Sequence, residues 1–386
     1  MGRLVVTSKG YAWFQKGHPW IFRSDLDRID DAEPGGIVSL ESPRGSFLAQ
    51  GFYSDRSKIA FRLVSREKSP IDAQFWRRRI EMAHQYRQRV VERTNAYRLI
   101  YGESDGIPSL IVDRYGDHFV MQTLSQGAEK WLSTFGELLA DLFRPASIIL
   151  RNDLSVRDLE GLPQEKRVLF GTLPSPIKVF EGEVQYWVDP WRGQKTGAYL
   201  DQRENRQFAS ALLQGKILDA FCYQGLFGLH AAQRGAAVLA IDASEEALAQ
   251  TQKNFELNAL ETFELHKENV FDFLAREAEK GPRYDGIVLD PPAFAKRKEN
   301  LWGASRGYKE LNRRAIQLLH PGGVLVTCSC SYNLSEGRFL EILKESGAEA
   351  QASMRLLAKR TQGLDHPILL SFPESYYLKC MILRKI

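Results

Sequence analysis

From Lys216 onward the chain alternates short apolar runs with stretches of helical spacing: KILDAF, AVLAID, FELHKEN, YDGIVLD and VLVTCS are separated by amphipathic segments. Parallel neighbours in a sheet need a long crossover, which a helix supplies. The alternation therefore predicts an α/β domain with a doubly wound parallel sheet and helices on both faces. Ligands of such sheets lie beyond the carboxyl ends of the strands. Polar residues at those ends are the first place to look for chemistry.

Asp219 closes the first run, Phe221 follows it, and Gly225 and Gly228 lie in the turn and the start of the next helix. These glycines do not form the G-x-G-x-x-G that lets backbone approach a pyrophosphate. S-adenosylmethionine has no phosphate and carries a positive sulfonium, so a less glycine-rich loop with acidic neighbours suits it. Asp242 ends the second run, where one carboxylate can accept both ribose hydroxyls, and Asn269 after the third can meet an adenine edge. One carboxylate at a strand end can simply cap a helix. Three polar strand ends in series favour a site.

The fourth run ends in VLDPPAFAKRK (288–298). Its two prolines remove backbone donors and stiffen the turn. Either they project Asp290 into the crevice, or they form only a rigid strand exit. Methyltransferases of exocyclic amines use a similar Asn/Asp-Pro-Pro followed directly by an aromatic, whereas here Ala293 intervenes before Phe294. Lys296, Arg297 and Lys298 form a basic run suited to phosphate contacts.

The fifth run leads into VLVTCSCSY (324–332), which holds two of the four cysteines of the chain. A metal site lacks further residues at ligand spacing, and a redox pair reads C-x-x-C rather than C-x-C. Carbon 5 of a pyrimidine is a poor nucleophile toward a methyl group. A thiolate added at carbon 6 makes carbon 5 enamine-like, and methyl transfer, proton loss and thiol elimination then follow. Cys328 lies within the strand, where packing explains it; Cys330 lies past the strand end, where a thiol is accessible. The next segment, NLSEGRFLEILK, reads as a helix with Asn333 and Glu336 as a capping box and its positive end toward a thiolate on the preceding loop.

With 386 residues the chain exceeds one average domain. Residues 1–69 contain short strand-like runs (RLVVTS, GGIVSLES, GSFLAQGFY, KIAFRLVS) punctuated by Pro-Gly-Gly and Pro-Arg-Gly, which predicts a small β-barrel. A helix over 69–95, starting at Ser69 and Pro70, then opens an α+β module over 70–183. A hairpin over 177–190 leads into the last domain, 184–386. The first hundred residues hold 18 Lys and Arg against 11 Asp and Glu, while the whole chain is only +4, so the N-terminal part is suited to meet a polyanion. Four scattered cysteines point to a reducing cytoplasm, and the absence of any apolar run of bilayer length points away from a membrane.

On these motifs the chain resembles the bacterial large-subunit ribosomal RNA (cytosine-5)-methyltransferases. RGQKTGAYLDQRENR (192–206), DAFCYQGLFGLH, LDPPAFAKRK, CSCS and DHPILLSFPESYYLK (365–379) occur in family order, and the resemblance covers essentially the whole chain. It implies an N-terminal PUA-like RNA-binding barrel, matched by KGHPWIF (16–22), a central α+β module, and a C-terminal Rossmann-like class I domain that uses S-adenosylmethionine. The implied target is cytosine 1962 of 23S rRNA. KTGAYLDQR is implied to close over the cofactor, with Lys195, Tyr199, Asp201 and Arg203 at its methionine end. Relatives read Thr-X-Ser-Cys-Ser with X variable, which makes Cys330 the nucleophile. Asp290 then borders the cofactor and hydrogen-bonds the cytosine edge. Lys16, Trp20, Arg23, the run Lys296, Arg297 and Lys298, and His366 are implied RNA contacts, and a homodimer is implied as well. Two other readings stay open: an amine-directed RNA methyltransferase using Asp290-Pro-Pro, and a non-catalytic RNA-binding assembly factor.

Overall fold

Alternating apolar residues make the N-terminal runs into strands because one face of each can be buried. In the computed structural model, which describes residues 1–294 and 301–386, these are β1 (Arg3–Val6), β4 (Ile37–Glu41), β5 (Phe47–Tyr53) and β6 (Ile59–Ser65). Two further strands, β2 (Trp20–Phe22) and β3 (Leu26–Asp30), complete a sheet of order β2-β6-β5-β4-β1-β3 around Leu4, Val6, Ile21, Leu40 and Phe61. Neither is legible in the pattern, because β2 has three residues and β3 is largely exposed. Helix α1 (Ser8–Gln15), whose first turn is capped by Thr7, is the other unanticipated element.

The next helix, α2 (Ala73–Val90), begins at Asp72 and not at Ser69-Pro70: the Asp72 carboxylate accepts the Phe75 N–H at 2.8 Å. It lays Trp76 and Ile80 on a sheet of β7 (Ala96–Tyr101), β8 (Leu110–Tyr115), β9 (His118–Thr123), β10 (Ser147–Asn152) and β11 (Glu165–Gly171). The helix expected near 126–143 is split into α3 (Gln126–Lys130) and α4 (Leu132–Phe143). Phe52 and Val64 of the first sheet join the Trp76 cluster, so these two modules share a core. The expected hairpin is present as β12 (Ile177–Glu181) and β13 (Val184–Val188).

After α5 (Arg203–Ser210) comes the predicted alternation: β14 (Lys216–Ala220), α6 (Leu226–Ala232), β15 (Ala237–Asp242), α7 (Glu245–Leu257), β16 (Phe263–Lys267), α8 (Val270–Ala278), β17 (Tyr284–Leu289), α9 (Leu301–Leu318), β18 (Leu319–Ser329) and α10 (Glu336–Glu349). With β19 (Met354–Arg360) and β20 (Lys379–Lys385) they form a seven-stranded sheet of order β16-β15-β14-β17-β18-β20-β19. The first five strands are parallel, as expected. The sheet is mixed at its far end, because β20 runs antiparallel between β18 and β19. Strand order reverses direction between β14 and β17, the place where a crevice opens in such sheets.

The chain divides into two units. One comprises Met1–Val179, Val188–Ala198 and Leu364–Ser375; the other comprises Phe180–Trp187, Tyr199–Gly363 and Tyr376–Ile386. Among the described residues no helix is long and apolar enough to cross a membrane.

Candidate active site

The loop after β14 holds an unusual backbone. Phe221 (φ 61°), Tyr223 (φ 51°) and Gly225 (φ 70°) are all left-handed within five residues. For a side-chain-bearing residue this costs about 1–2 kcal/mol, so the surroundings must fix it. They do: Asp242 Oδ2 accepts the Tyr223 N–H at 3.0 Å, Cys222 O accepts the Gly225 N–H at 2.8 Å, and Asp219 Oδ2 accepts the Gly228 N–H at 2.8 Å. A Cβ on Gly225 would stand 2.4 Å from Thr251 Cγ2, so glycine is required there on two counts.

Three carboxylates converge at these strand ends. Asp219 is buried, and burial pushes its pKa up to about 7, with Asp290 and Asp242 adding repulsion. Asp242 is held on its other oxygen by the Ser244 N–H at 2.9 Å. A cation brought here lowers the cost of keeping these groups ionised, so the residues fit a sulfonium-bearing cofactor. Asn269 is exposed and caps α8 by accepting the Phe271 N–H at 2.9 Å, which is the helix-capping alternative weighed for a polar strand end.

Asp290 and Cys330 stand on neighbouring strand ends of the same unit. Gln202 Nε2 donates to Asp290 Oδ2 at 3.1 Å, and Gln202 is itself oriented by the Asn205 amide at 2.7 Å. Cys330 lies one residue past β18 and is half-buried, whereas Cys222, Cys328 and Cys380 are buried. Cys328 pairs with Cys380 across the β18–β20 ladder, and burial pushes its thiol well up. Around Cys330, the Tyr199 phenol is raised by burial and then by Asp290, Tyr223, Asp201 and Cys330 itself. Tyr308, raised by burial to about 12, shares a hydrogen bond with Ser331 at 3.2 Å. Lys379 is buried and donates to Ser331 O at 2.7 Å and Tyr377 O at 2.8 Å.

The motif that carries Tyr199 is braced from beneath. Arg206 holds Glu181 through two N–H···O bonds of 2.8 and 2.5 Å, donates to Tyr199 O at 2.8 Å, and His230 Nε2 meets Glu181 at 2.8 Å. Burial would push Glu181 up, but the Arg206 guanidinium and His230 hold it at about 2. Asp201 accepts the Tyr377 hydroxyl at 2.7 Å. Arg203 is buried beside Glu204 at 2.5 Å. The cap of α10 lies two residues past the expected cap Asn333. The cap is Ser335, which accepts the Arg338 N–H, and Glu336 instead binds Lys359 and the Tyr376 hydroxyl, both at 2.8 Å.

Five further candidates, Lys195, Lys16, Arg23, Trp20 and His366, belong to the first unit. Lys195 is left-handed (φ 51°) in the segment Val188–Ala198. Lys16 is exposed. Arg23 donates to the backbone carbonyls of Ser54 and Ser57, and Trp20 packs on Phe372 while donating to Glu103 at 2.8 Å. His366 is only 2% exposed, bonded to Asp365 at 3.0 Å and packed on Tyr101, the packing alternative for this motif. Glu374 of the same motif meets His18 at 3.1 Å. The run Lys296, Arg297 and Lys298 lies outside the described residues. Gln202, Tyr223 and Lys379 are the site residues that the sequence reading missed. Gln202 and Lys379 fall inside motifs already singled out, KTGAYLDQR and ESYYLK, but nothing in their spacing shows what they touch.

Comparison with known proteins matches two segments of the chain. Residues 4–66 match a PUA-like domain, and residues 169–367 match an S-adenosylmethionine-dependent methyltransferase. The ribosomal RNA large subunit methyltransferase I of Shewanella denitrificans is 40% identical over 96% of both chains. The chain belongs to this family. The namesake from Aeromonas hydrophila is also 40% identical, over 95% of both chains. Among solved structures, SMU.776 complexed with SAH has the same fold, with a TM-score of 0.86 at 22% identity over 100% of both chains. This family member is thus an S-adenosylmethionine-dependent methyltransferase, with its strand-end carboxylates inside the matched domain.

Proposed function

We propose that the chain methylates carbon 5 of a cytosine in large-subunit ribosomal RNA, cytosine 1962 of 23S rRNA, through a covalent bond between Cys330 Sγ and carbon 6. One observation carries this reading: of the four cysteines, Cys330 is the one outside the buried core, and it stands just past a strand end beside Asp290 and Tyr199.

When bound, S-adenosylmethionine supplies an electrophilic methyl group. Asp242 and Asp219 hold and orient it at the ends of β15 and β14, with Gly225, Phe221 and Asn269 shaping the pocket and Lys195, Tyr199, Asp201 and Arg203 bordering its methionine end. Asp290, fixed by Gln202, accepts from the cytosine amino edge and places the ring over the thiol. The Cys330 thiolate adds to carbon 6, and the displaced electron pair makes carbon 5 nucleophilic. The carbon 5–methyl bond then forms as the methyl group leaves the cofactor sulfur, solvent takes the carbon 5 proton, and the Cys330 sulfur–carbon 6 bond breaks to restore the ring double bond and the thiolate. The base must leave its stack to reach this site, at roughly a few kcal/mol, which backbone contacts from basic residues such as Lys16 offset.

In this reading 1–69 is the RNA-binding barrel, 70–183 the central module and 184–386 the catalytic domain, acting in the cytoplasm as a homodimer; sedimentation tests the dimer. The mechanism is tested with Cys330→Ala protein, its rRNA and labelled cofactor. No label should be transferred, and undiminished 5-methylcytosine would remove the mechanism. Nucleoside mass spectrometry of the wild-type product separates carbon 5 from amine methylation.

A further inference from the structure

Lys379 is the first residue of β20, and in the antiparallel ladder it lies opposite Ser329, the last residue of β18. Its ammonium thus arises at the point where the strand stops and Cys330 begins the turn. Two of its three protons go to Ser331 O and Tyr377 O. Ser331 O also accepts the Leu334 N–H at 3.1 Å, the Ser331 N–H donates to Ser329 Oγ at 3.3 Å, and Tyr308 engages the Ser331 hydroxyl. The turn that carries Cys330 is therefore fixed through its neighbour on three sides.

A buried ammonium is costly unless negative charge faces it. Among the described residues, Cys330 and Glu336 are the groups whose negative charge, when present, favours the Lys379 ammonium. Glu336 already serves Lys359 and the Tyr376 hydroxyl. Asp290 and the Tyr199 and Tyr308 phenols also act on the Cys330 region; the carboxylate opposes a second negative charge there, and the phenols bring no positive charge to offset one. We propose that Lys379 is the positioning residue of Cys330: it anchors the Cys330–Ser331 turn and favours the thiolate over the thiol. The reading of Cys330 as nucleophile is assumed here. Burial lowers the Lys379 pKa to about 8, which is the cost that a nearby thiolate relieves.

The test is the pH dependence of Cys330 alkylation by iodoacetamide in the full chain, read by peptide mass spectrometry. The three buried cysteines serve as internal reporters of folding. In the wild type the midpoint should lie below the value of about 8.5 for a free thiol. Lys379→Met should raise it by about one unit, slowing alkylation about tenfold at pH 7. Lys379→Arg should restore it, and methyl transfer by the Met variant should recover as pH is raised. Should the Met variant expose the buried cysteines, Lys379→Gln, which keeps a donor but no charge, should show the same rise. A wild-type midpoint at or above that of a free thiol, or one unmoved in a folded Met or Gln variant, overturns the proposal. An active Cys330→Ala protein would instead sink the nucleophile assignment, while a shifted alkylation midpoint would still stand.

Discussion

Cys328 and Cys330 are two residues apart, yet the interior of β18 and the turn after it impose opposite chemistry on the same side chain. Cys328 is 0% exposed, faces Cys380 across the ladder, and has its thiol pushed up by burial. Such a sulfur is an apolar core atom. Cys330 is half-buried, its turn is tied down by Lys379, Tyr308 and Ser329, and Asp290 and Tyr199 stand beside it. The difference teaches that accessibility of a thiol here comes from leaving the strand. Inside the ladder a thiol can only pack; past its end the same group is partly exposed and stands among charged and polar side chains.

The contrast is best broken at its reactive side. Cys330→Ala should abolish methyl transfer with the melting temperature little changed, as labelled-methyl incorporation and thermal unfolding would show; residual activity near wild type would erase the distinction. Asp290→Asn should lower the turnover number by about 10²–10³-fold and change cofactor affinity far less, since the amide keeps one acceptor oxygen but loses the charge and can turn a donor toward the cytosine amino group. Asp242→Ala, which removes an acceptor and frees the left-handed Tyr223, should weaken cofactor binding by about 10–100-fold in calorimetry.

A gentler probe is pH. The Asp219 pKa is raised in the fold from 3.8 to about 7, so the folded protein binds the extra proton between those values and its stability falls as pH rises through them. A sulfonium favours the carboxylate. Affinity for S-adenosylmethionine should therefore rise by about tenfold from pH 6 to pH 8 and then level, while the uncharged product S-adenosylhomocysteine should show a smaller change. Equal slopes for the two ligands would detach Asp219 from the sulfonium. The smallest effect on activity belongs to the packed side. Cys328→Ala should keep methyl transfer within about twofold and cost roughly 1–2 kcal/mol of stability. A dead Cys328→Ala protein that still folds would reverse the roles of the two cysteines.

Much of the C-terminal sheet was legible because a buried parallel strand must be apolar along its length and must stop being so where a ligand sits. Asp219, Asp242, Asp290 and Cys330 are the first reactive groups at or after such stops, and the structure puts each at the end of its strand. Short or exposed elements were not legible: β2 and β3 have too few buried positions to set a period. The helix starts at Asp72 and Ser335 were displaced from their expected places because several residues there can cap, and packing of the following turns selects one. The motif left open whether His366 contacts RNA or packs; burial against Asp365 and Tyr101 is a tertiary feature that the motif does not encode.

The sequence by itself determined the parallel sheet, the order of its polar strand ends and the separation of one accessible cysteine from one packed cysteine. All three follow from periodicity, which local burial imposes residue by residue. Only the tertiary structure decided that Gln202 orients Asp290, that Arg206 and Glu181 brace Tyr199, and that Lys379 anchors the turn of Cys330. Those contacts join residues 88, 7 to 25 and 48 positions apart. No local pattern encodes them, because side chains that meet through the folding of a sheet share space without sharing a period.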